Sequence, residues 1–277
     1  MRVNGVTVTG ASASGVSTCL VVHPYKVVLD IGHCSKEAMS YQTVLVTHAH
    51  IDHMGGAVQH AASRSLQGHS PSRFICNPEV GDHLEALLTL WNEIQGGFKY
   101  EIVRLAPGDA PVYVSKGLTV SAFHTAHRVP SQGYVLYETR SKLRAEYVGM
   151  LGVEIGALRK SGVEVSDKVV TPVLAYTGDT LPEALAHPDV QRAKFLIAEC
   201  TFVNGEAPVP HARKHGHTHL DELAPMLEKM TFEHVLLVHF SLRHSRRDIE
   251  KAVAKLPASV RDRMSLLLDG DGPVREW

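Results

Sequence analysis

The ten residues from Thr47 to Gly56, THAHIDHMGG, constrain this chain more than any other stretch. Between positions 48 and 53 they place His48, His50, Asp52 and His53. The preceding Thr43-Val44-Leu45-Val46-Thr47 is a short apolar run that reads as a strand. Two residues apart on an extended segment, His48 and His50 point to the same side. Asp52 and His53 follow as the chain leaves the strand, and Gly55-Gly56 are expected to let the backbone turn tightly. Four groups able to ligate metal therefore converge on one volume. That arrangement suits a pair of ions better than a single one.

Such a loop needs a rigid frame, and the rest of the chain supplies strand and helix signals for one. Residues 2–9, 17–22 and 26–30 read as strands, the first two joined by a Gly/Ser turn. A helix is expected over 57–66. Asn77-Pro78 opens a longer one that Gly96-Gly97 stops. Further strands are expected at 120–123, 133–138, 173–177, 195–199 and 234–239, and helices at 182–193, 219–230 and 246–256. Residues 140–170 are rich in charge and glycine, and read as a compact excursion from the core. Strand-rich blocks interrupted by helices in both halves predict an α/β chain, a four-layer αββα sandwich forming one domain over 1–277.

Several later apolar runs each end on a polar group: His127 after VSAFHTA, Asp179 after VLAYTG, Glu199 after FLIA and His239 after VLLV. Groups carried on strand ends are held rigidly, as a reactive centre requires. On this reading His48, His50 and His127 hold one ion, Asp52, His53 and His239 hold the other, and Asp179 bridges them. Imidazole and carboxylate donors suit two zinc ions, with manganese or iron as alternatives. Such a pair neutralises a phosphate and activates water. His124, the competitor of His127, lies inside its strand and is read as supporting or structural. Glu199 is not needed to fill the metal shell. Paired with His217, it makes a plausible proton donor to a leaving oxygen.

Composition narrows the partners. The net charge is −1, so any attraction to a polyanion must come from metals and local basic groups. Two such groups stand out: Lys142 and Arg144 in the excursion, and Arg243, Arg246 and Arg247 at the start of the last helix. Phosphate binding explains the second group better than helix stability does, since cations oppose the dipole at a helix N-terminus. No apolar run is long enough for a membrane span, and no targeting signal stands at the N-terminus. Four widely spaced cysteines without a CxxC pair suggest reduced thiols inside the cell, in cytoplasm or nucleus.

The opening motif resembles that of the metallo-β-lactamase superfamily, whose fold is αββα and whose substrates are diverse. HRVPSQGY, AYTGDT, IAECTF, the GHTH segment and LLVHFSLRH, taken in order, resemble ribonuclease Z, the tRNA 3′-end processing endonuclease. The stretch KLRAEYVGMLGVEIGALRKSGVEV looks most like the short plant-type branch. The resemblance implies the metal ligands given above, with Asp30 supporting the metal loop. It implies Glu199 and His217 as the glutamate and histidine of the family's two further motifs. It implies precursor tRNA as substrate, cleaved to leave a 3′-hydroxyl on the tRNA and a 5′-phosphate on the trailer, and a homodimer as the assembly. Cys200 and His219 depart from the residues usual in the family. So does the short interval from His127 to Asp179, where many members carry a long tRNA-binding arm. A different hydrolase on the same fold, such as a small phosphodiesterase or a thioesterase, would share every metal ligand and stays open at this point.

Overall fold

The computed structural model describes residues 2, 3 and 5–268. Asn4, within the strand expected over 2–9, and residues 269–277 of the single-domain reading lie outside the described residues. One sheet holds β1 (Arg2–Val3), β2 (Val6–Ser14), β3 (Ser17–Val22), β4 (Val27–Leu29), β5 (Thr43–Leu45), β6 (Ser72–Cys76) and β7 (Tyr100–Arg104), neighbours in that order. The other holds β8 (Val112–Ser115), β9 (Leu118–His124), β10 (Gln132–Leu143), β11 (Ser166–Tyr176), β12 (Phe195–Glu199) and β13 (His234–Val238). β14 (Phe240–Ser241) crosses back to pair with β2, and β15 (Met264–Leu266) closes the second sheet beside β13.

Alternation along the strands builds the layers. Leu20, Val22, Val27, Leu29, Leu45 and Ile75 face the second sheet, where Leu174, Tyr176, Phe195, Ile197, Leu236 and Val238 meet them. Their neighbours Val21, Val28, Val44 and Phe74 face outward under α1 (Ile51–Met54), α2 (Ala57–Leu66) and α3 (Pro78–Gln95). On the far side, Ala175, Leu196, Ala198, Val235 and Leu237 pack outward. Above them lie α5 (Pro188–Arg192), α7 (Leu220–Lys229), α8 (Arg246–Val253) and α9 (Ala258–Arg261), while α4 (Gly152–Lys160) and α6 (Val209–Lys214) stand elsewhere on the surface. Strands buried on both faces carry nearly continuous apolar runs, as the central residues of these do. The architecture is the expected αββα sandwich.

Tyr134, the last residue of HRVPSQGY, ties the sheets together. Its buried hydroxyl lies 2.6 Å from Val46 O and 2.9 Å from Ile75 O in the opposite sheet, and accepts from Gln132 Nε2. The adjacent Gly133 leaves room for the Phe123 ring, which a Cβ would meet at 2.2 Å.

Some boundaries differ from the sequence expectation. β2 runs through the expected Gly/Ser turn to Ser14, because the chain reverses only at Gly15, at φ 71. The helix expected over 182–193 is a 3-10 turn, Pro182–Ala186, followed by α5. Pro188 holds His187 extended (ψ 129) and breaks the run. The excursion at 140–170 continues two core strands: residues 138–143 of β10 pair with 166–171 of β11, and α4, at the tip, buries no residue.

Candidate metal centre

The ends of adjacent parallel strands converge on one site. β4, β5, β11, β12 and β13 deliver, at or just beyond their C-terminal ends, Asp30, His48, Asp179, Glu199 and His239. Ligand sites of open α/β sheets form at this edge, where backbone ends diverge and leave room. α1 adds Asp52 and His53, and the loop after β9 adds His127. His217 comes from the turn between α6 and α7.

The donor atoms fall into overlapping groups, each with its atoms within 4.8 Å of one another: His48, His50, His127 and Asp179; Asp52, His53 and His239; Asp179, His217 and His239. Asp179 stands between the first two. Its Oδ2 is 3.8 Å from His48 Nε2 and 3.4 Å from His239 Nε2, and its Oδ1 is 3.4 Å from His53 Nε2.

These residues fit metal ions by their own geometry. His48 Nε2 and His50 Nδ1 face each other at 3.0 Å, His127 Nε2 and His50 Nδ1 at 3.3 Å, and His53 Nε2 and His239 Nε2 at 3.2 Å. Zn–N bonds of about 2.0–2.1 Å in a tetrahedron put neighbouring nitrogens about 3.3 Å apart. Neutral imidazoles that face one another this way with the far nitrogen protonated share no hydrogen; a cation between them supplies the missing partner. Asp179 Oδ1 is buried with no hydrogen-bond partner. Burial opposes the charge on Asp179, yet His239, His53 and His48 hold its carboxyl well below the usual range. Burial likewise opposes charge on Asp52, and His239 and His53 outweigh it and lower its pKa. The donor chemistry therefore calls for positive charge, as a divalent cation would supply.

The far nitrogen of most of these histidines is fixed by a partner; Asp30 is the support that the resemblance implied, and the others went unread in the sequence. His53 Nδ1 donates to Asp30 Oδ2 at 2.8 Å, and the Tyr176 hydroxyl donates to the same oxygen at 2.6 Å. His48 Nδ1 lies 2.9 Å from Thr47 Oγ1, which donates in turn to Asp30. His127 Nδ1 donates to Gly216 O at 2.8 Å, and His239 Nδ1 lies 3.0 Å from Thr201 Oγ1. The Gly15 N–H donates to Asp52 Oδ2 at 2.8 Å. Partners of this kind set the tautomer and aim the ligating atom. The only available signal was threonine beside histidine or glutamate, which is common and carries no distance information.

Gly55 and Gly56 form the turn between α1 and α2, but not through a backbone that only glycine can adopt. Their φ values are −56° and −85°, which any residue adopts. They are needed because a Cβ on Gly55 would meet Ile51 O at 2.6 Å, and one on Gly56 would meet the backbone of His33 and Cys34 at 2.6 Å.

His217, which shares a donor group with Asp179 and His239, is held by Glu199. His217 Nδ1 lies 3.1 Å from Glu199 Oε1. Glu199 Oε1 also accepts from Thr180 N at 2.8 Å, and Oε2 from Thr201 Oγ1 at 2.6 Å. Burial works against a charge on His217, but Glu199 overrides it and lifts its pKa to about 9. At neutral pH His217 therefore holds a proton at the mouth of the site. His124, in contrast, is exposed at the end of β9 and stays in the strand ladder opposite Gln132.

The basic residues are less uniform. Arg144 is engaged by Asp167 at 2.8 Å and Glu164 at 3.5 Å, and Arg246 by Glu250 at 2.7 Å. No carboxylate pairs with Lys142 or Arg243 among the described residues. α8 is capped by Ser245 with Asp248, and this cap compensates locally for the arginines at its start.

Comparison with known proteins agrees with this architecture. Residues 32–240 match the family model of the beta-lactamase superfamily domain, and the chain belongs to that superfamily. It is 35% identical over 274 residues to tRNase Z TRZ1 of Arabidopsis thaliana, covering 98% of both chains. It is also 35% identical to the chloroplastic tRNase Z TRZ2 of the same plant, covering 98% of this chain and 77% of that one. Within the superfamily the chain is therefore a member of the tRNase Z family. The crystal structure of the short form of human tRNase Z shares the fold, with a TM-score of 0.59 and 20% identity over 86% of this chain and 93% of that one.

Proposed function

We propose that this chain is a metal-dependent endoribonuclease that removes the 3′ trailer of precursor tRNA. The observation that carries the reading is the Glu199–His217 pair, 3.1 Å apart, beside a His/Asp centre built for divalent cations. A protein that only held metal, or one whose leaving group needs no proton, has no use for it.

In this reading His48, His50 and His127 hold one zinc ion, Asp52, His53 and His239 hold a second, and Asp179 serves both; manganese or iron are the alternatives. Two such ions lower the pKa of water and neutralise phosphate charge when bound. Asp52, aimed by the Gly15 N–H, takes the proton of the attacking water. His217 gives the proton of its other ring nitrogen, Nε2, to the departing 3′-oxygen, while Glu199 accepts from Nδ1–H and favours the protonated ring until transfer. The phosphate contacts outside the centre fall to Arg243 and Lys142, since Arg144 and Arg246 already have carboxylates to satisfy them.

We read the chain as one domain whose insertion between β10 and β11 takes the place of a long arm, and as a homodimer. An apolar groove of about 1060 Å³ between α1, α2 and α3 supports the dimer. It is bordered by exposed Ile51, Leu66, Leu87 and Trp91, and Ile51 sits between His50 and Asp52. Exposed apolar patches rimmed by polar residues are a common feature of protein–protein interfaces. Among the described residues no helix is long and apolar enough to cross a membrane. The free cysteines agree with a site inside the cell, in cytoplasm or nucleus.

The test compares two substrates. His217→Ala should slow cleavage of a 3′-extended precursor tRNA by about 10²–10⁴-fold, while turnover of bis-p-nitrophenyl phosphate, whose leaving group needs no proton, falls far less. Equal loss on both, or no loss on tRNA, sinks the assignment.

A further inference from the structure

Thr201 belongs neither to the ligand set nor to the proton-donor pair, yet its hydroxyl touches both. Thr201 Oγ1 lies 2.6 Å from Glu199 Oε2, 3.0 Å from His239 Nδ1 and 3.3 Å from His217 Nδ1. The side chain is buried, so water does not compete for these contacts. A hydroxyl has one hydrogen and two lone pairs. The carboxylate accepts only, so the hydrogen goes to Glu199. One lone pair then accepts from the His239 Nδ1–H, and the other shares, at 3.3 Å, the single Nδ1 hydrogen that His217 gives chiefly to Glu199. This arrangement uses the whole capacity of the hydroxyl and leaves one tautomer for His239, with Nδ1 protonated and the Nε2 lone pair turned toward His53 and Asp179.

The molecule contains the same device a second time. Thr47 Oγ1 donates to Asp30 and faces His48 Nδ1 at 2.9 Å. There the carboxylate also accepts from His53 and Tyr176, and holds no candidate acid. At Thr201 the carboxylate is Glu199, which holds His217. One hydroxyl therefore stands between a candidate metal ligand and the candidate acid.

We propose that Thr201 is a positioning residue that couples metal binding through His239 to proton donation by His217. The inference rests on the ligand and proton-donor roles given above. Loss of the hydroxyl frees His239 to turn its proton inward, and removes from Glu199 the shortest hydrogen bond that fixes it under His217. One substitution then weakens two properties that the ligand shell alone does not connect.

The experiment uses the full chain loaded with Zn2+ and the variants Thr201→Val and Thr201→Ser. Zinc affinity is read by competition with a chromogenic chelator, without substrate. Turnover is read at saturating zinc on 3′-extended precursor tRNA and on bis-p-nitrophenyl phosphate. Thr201→Val is expected to lose about 10–100-fold in zinc affinity. It should also lower kcat on tRNA at least tenfold more than on the p-nitrophenyl ester. Thr201→Ser, which keeps the hydroxyl, should restore both to within about threefold. The proposal is overturned if Thr201→Val changes only one of the two readouts, or neither, or if serine fails to restore them. Thermal melting checks that each variant is folded; should valine not fold, the same two readouts on Thr201→Ser and Thr201→Ala decide, with serine retaining both and alanine losing both. If His217→Ala is silent on tRNA, the acid assignment itself fails, whereas the link to His239 is still read by the chelator.

Discussion

Asp30 and His239 adopt left-handed backbone, at φ 54° and 64°, where their strands end. This region disfavours most side chains and is visited most readily by Asn, Asp and His among non-glycine residues. In both cases it turns a polar side chain into the site just where an apolar strand stops. Gly178 is the third such turn, at φ 58°, and here no side chain fits, since a Cβ would lie 2.6 Å from Thr47 Cγ2. Gly178→Ala should cost about 2–4 kcal/mol from backbone strain and overpacking. It should also weaken metal binding, because Thr47 aims His48. A urea melt and a chelator titration check this, and an unchanged midpoint would contradict it. Residue types made the candidate ligands readable, because histidine and aspartate at strand ends point to a narrow chemistry. Their supports Thr47, Thr201, Tyr176 and the Gly216 carbonyl were not readable: threonine, tyrosine and backbone occur everywhere, and only folding brings them to a particular imidazole nitrogen.

Elements were readable where the local signal was strong and blurred where tertiary contacts chose the boundary. α3 begins at Pro78 because the Asn77 side chain caps the Val80 N–H, and Gly96 ends it. β2 outran its expected turn because its last residues pair with β3 and β14. α2 shows how an element is locked in place. His60 is buried, with Nε2 3.2 Å from Ala38 O and 3.1 Å from Tyr41 O, and Nδ1 2.8 Å from Ser72 Oγ. Burial lowers its pKa from 6.5 to about 4. The unfolded chain therefore takes up a proton near pH 6.5 that the folded chain refuses until about pH 4. Stability from this group is complete above pH 6.5 and is lost as pH falls toward 4. Between pH 8 and 5 the loss should be about 2 kcal/mol. Denaturant melts should show that much more acid sensitivity in the parent than in His60→Gln, and equal slopes would refute the assignment.

For the molecule as a whole, the sandwich explains why one fold can hold so charged a centre. Two sheets bury an apolar layer between them, while the ends of β4, β5, β11, β12 and β13 open along one edge. Among the described residues, the groups of His and Asp that could hold a metal ion lie at that edge, where a cation pair would neutralise them. The layer order was legible because strands buried on both faces read as unbroken apolar runs. The shape of the insertion was not, since residues 144–165 bury almost nothing and so carry no periodic pattern. The most direct measurement incubates the zinc-loaded chain with a 3′-extended precursor tRNA and maps both product ends. A single cut after the discriminator nucleotide is expected, with a 3′-hydroxyl on the tRNA, a 5′-phosphate on the trailer, and no cleavage once a chelator has removed the metal. Intact tRNA alongside rapid turnover of bis-p-nitrophenyl phosphate would contradict it.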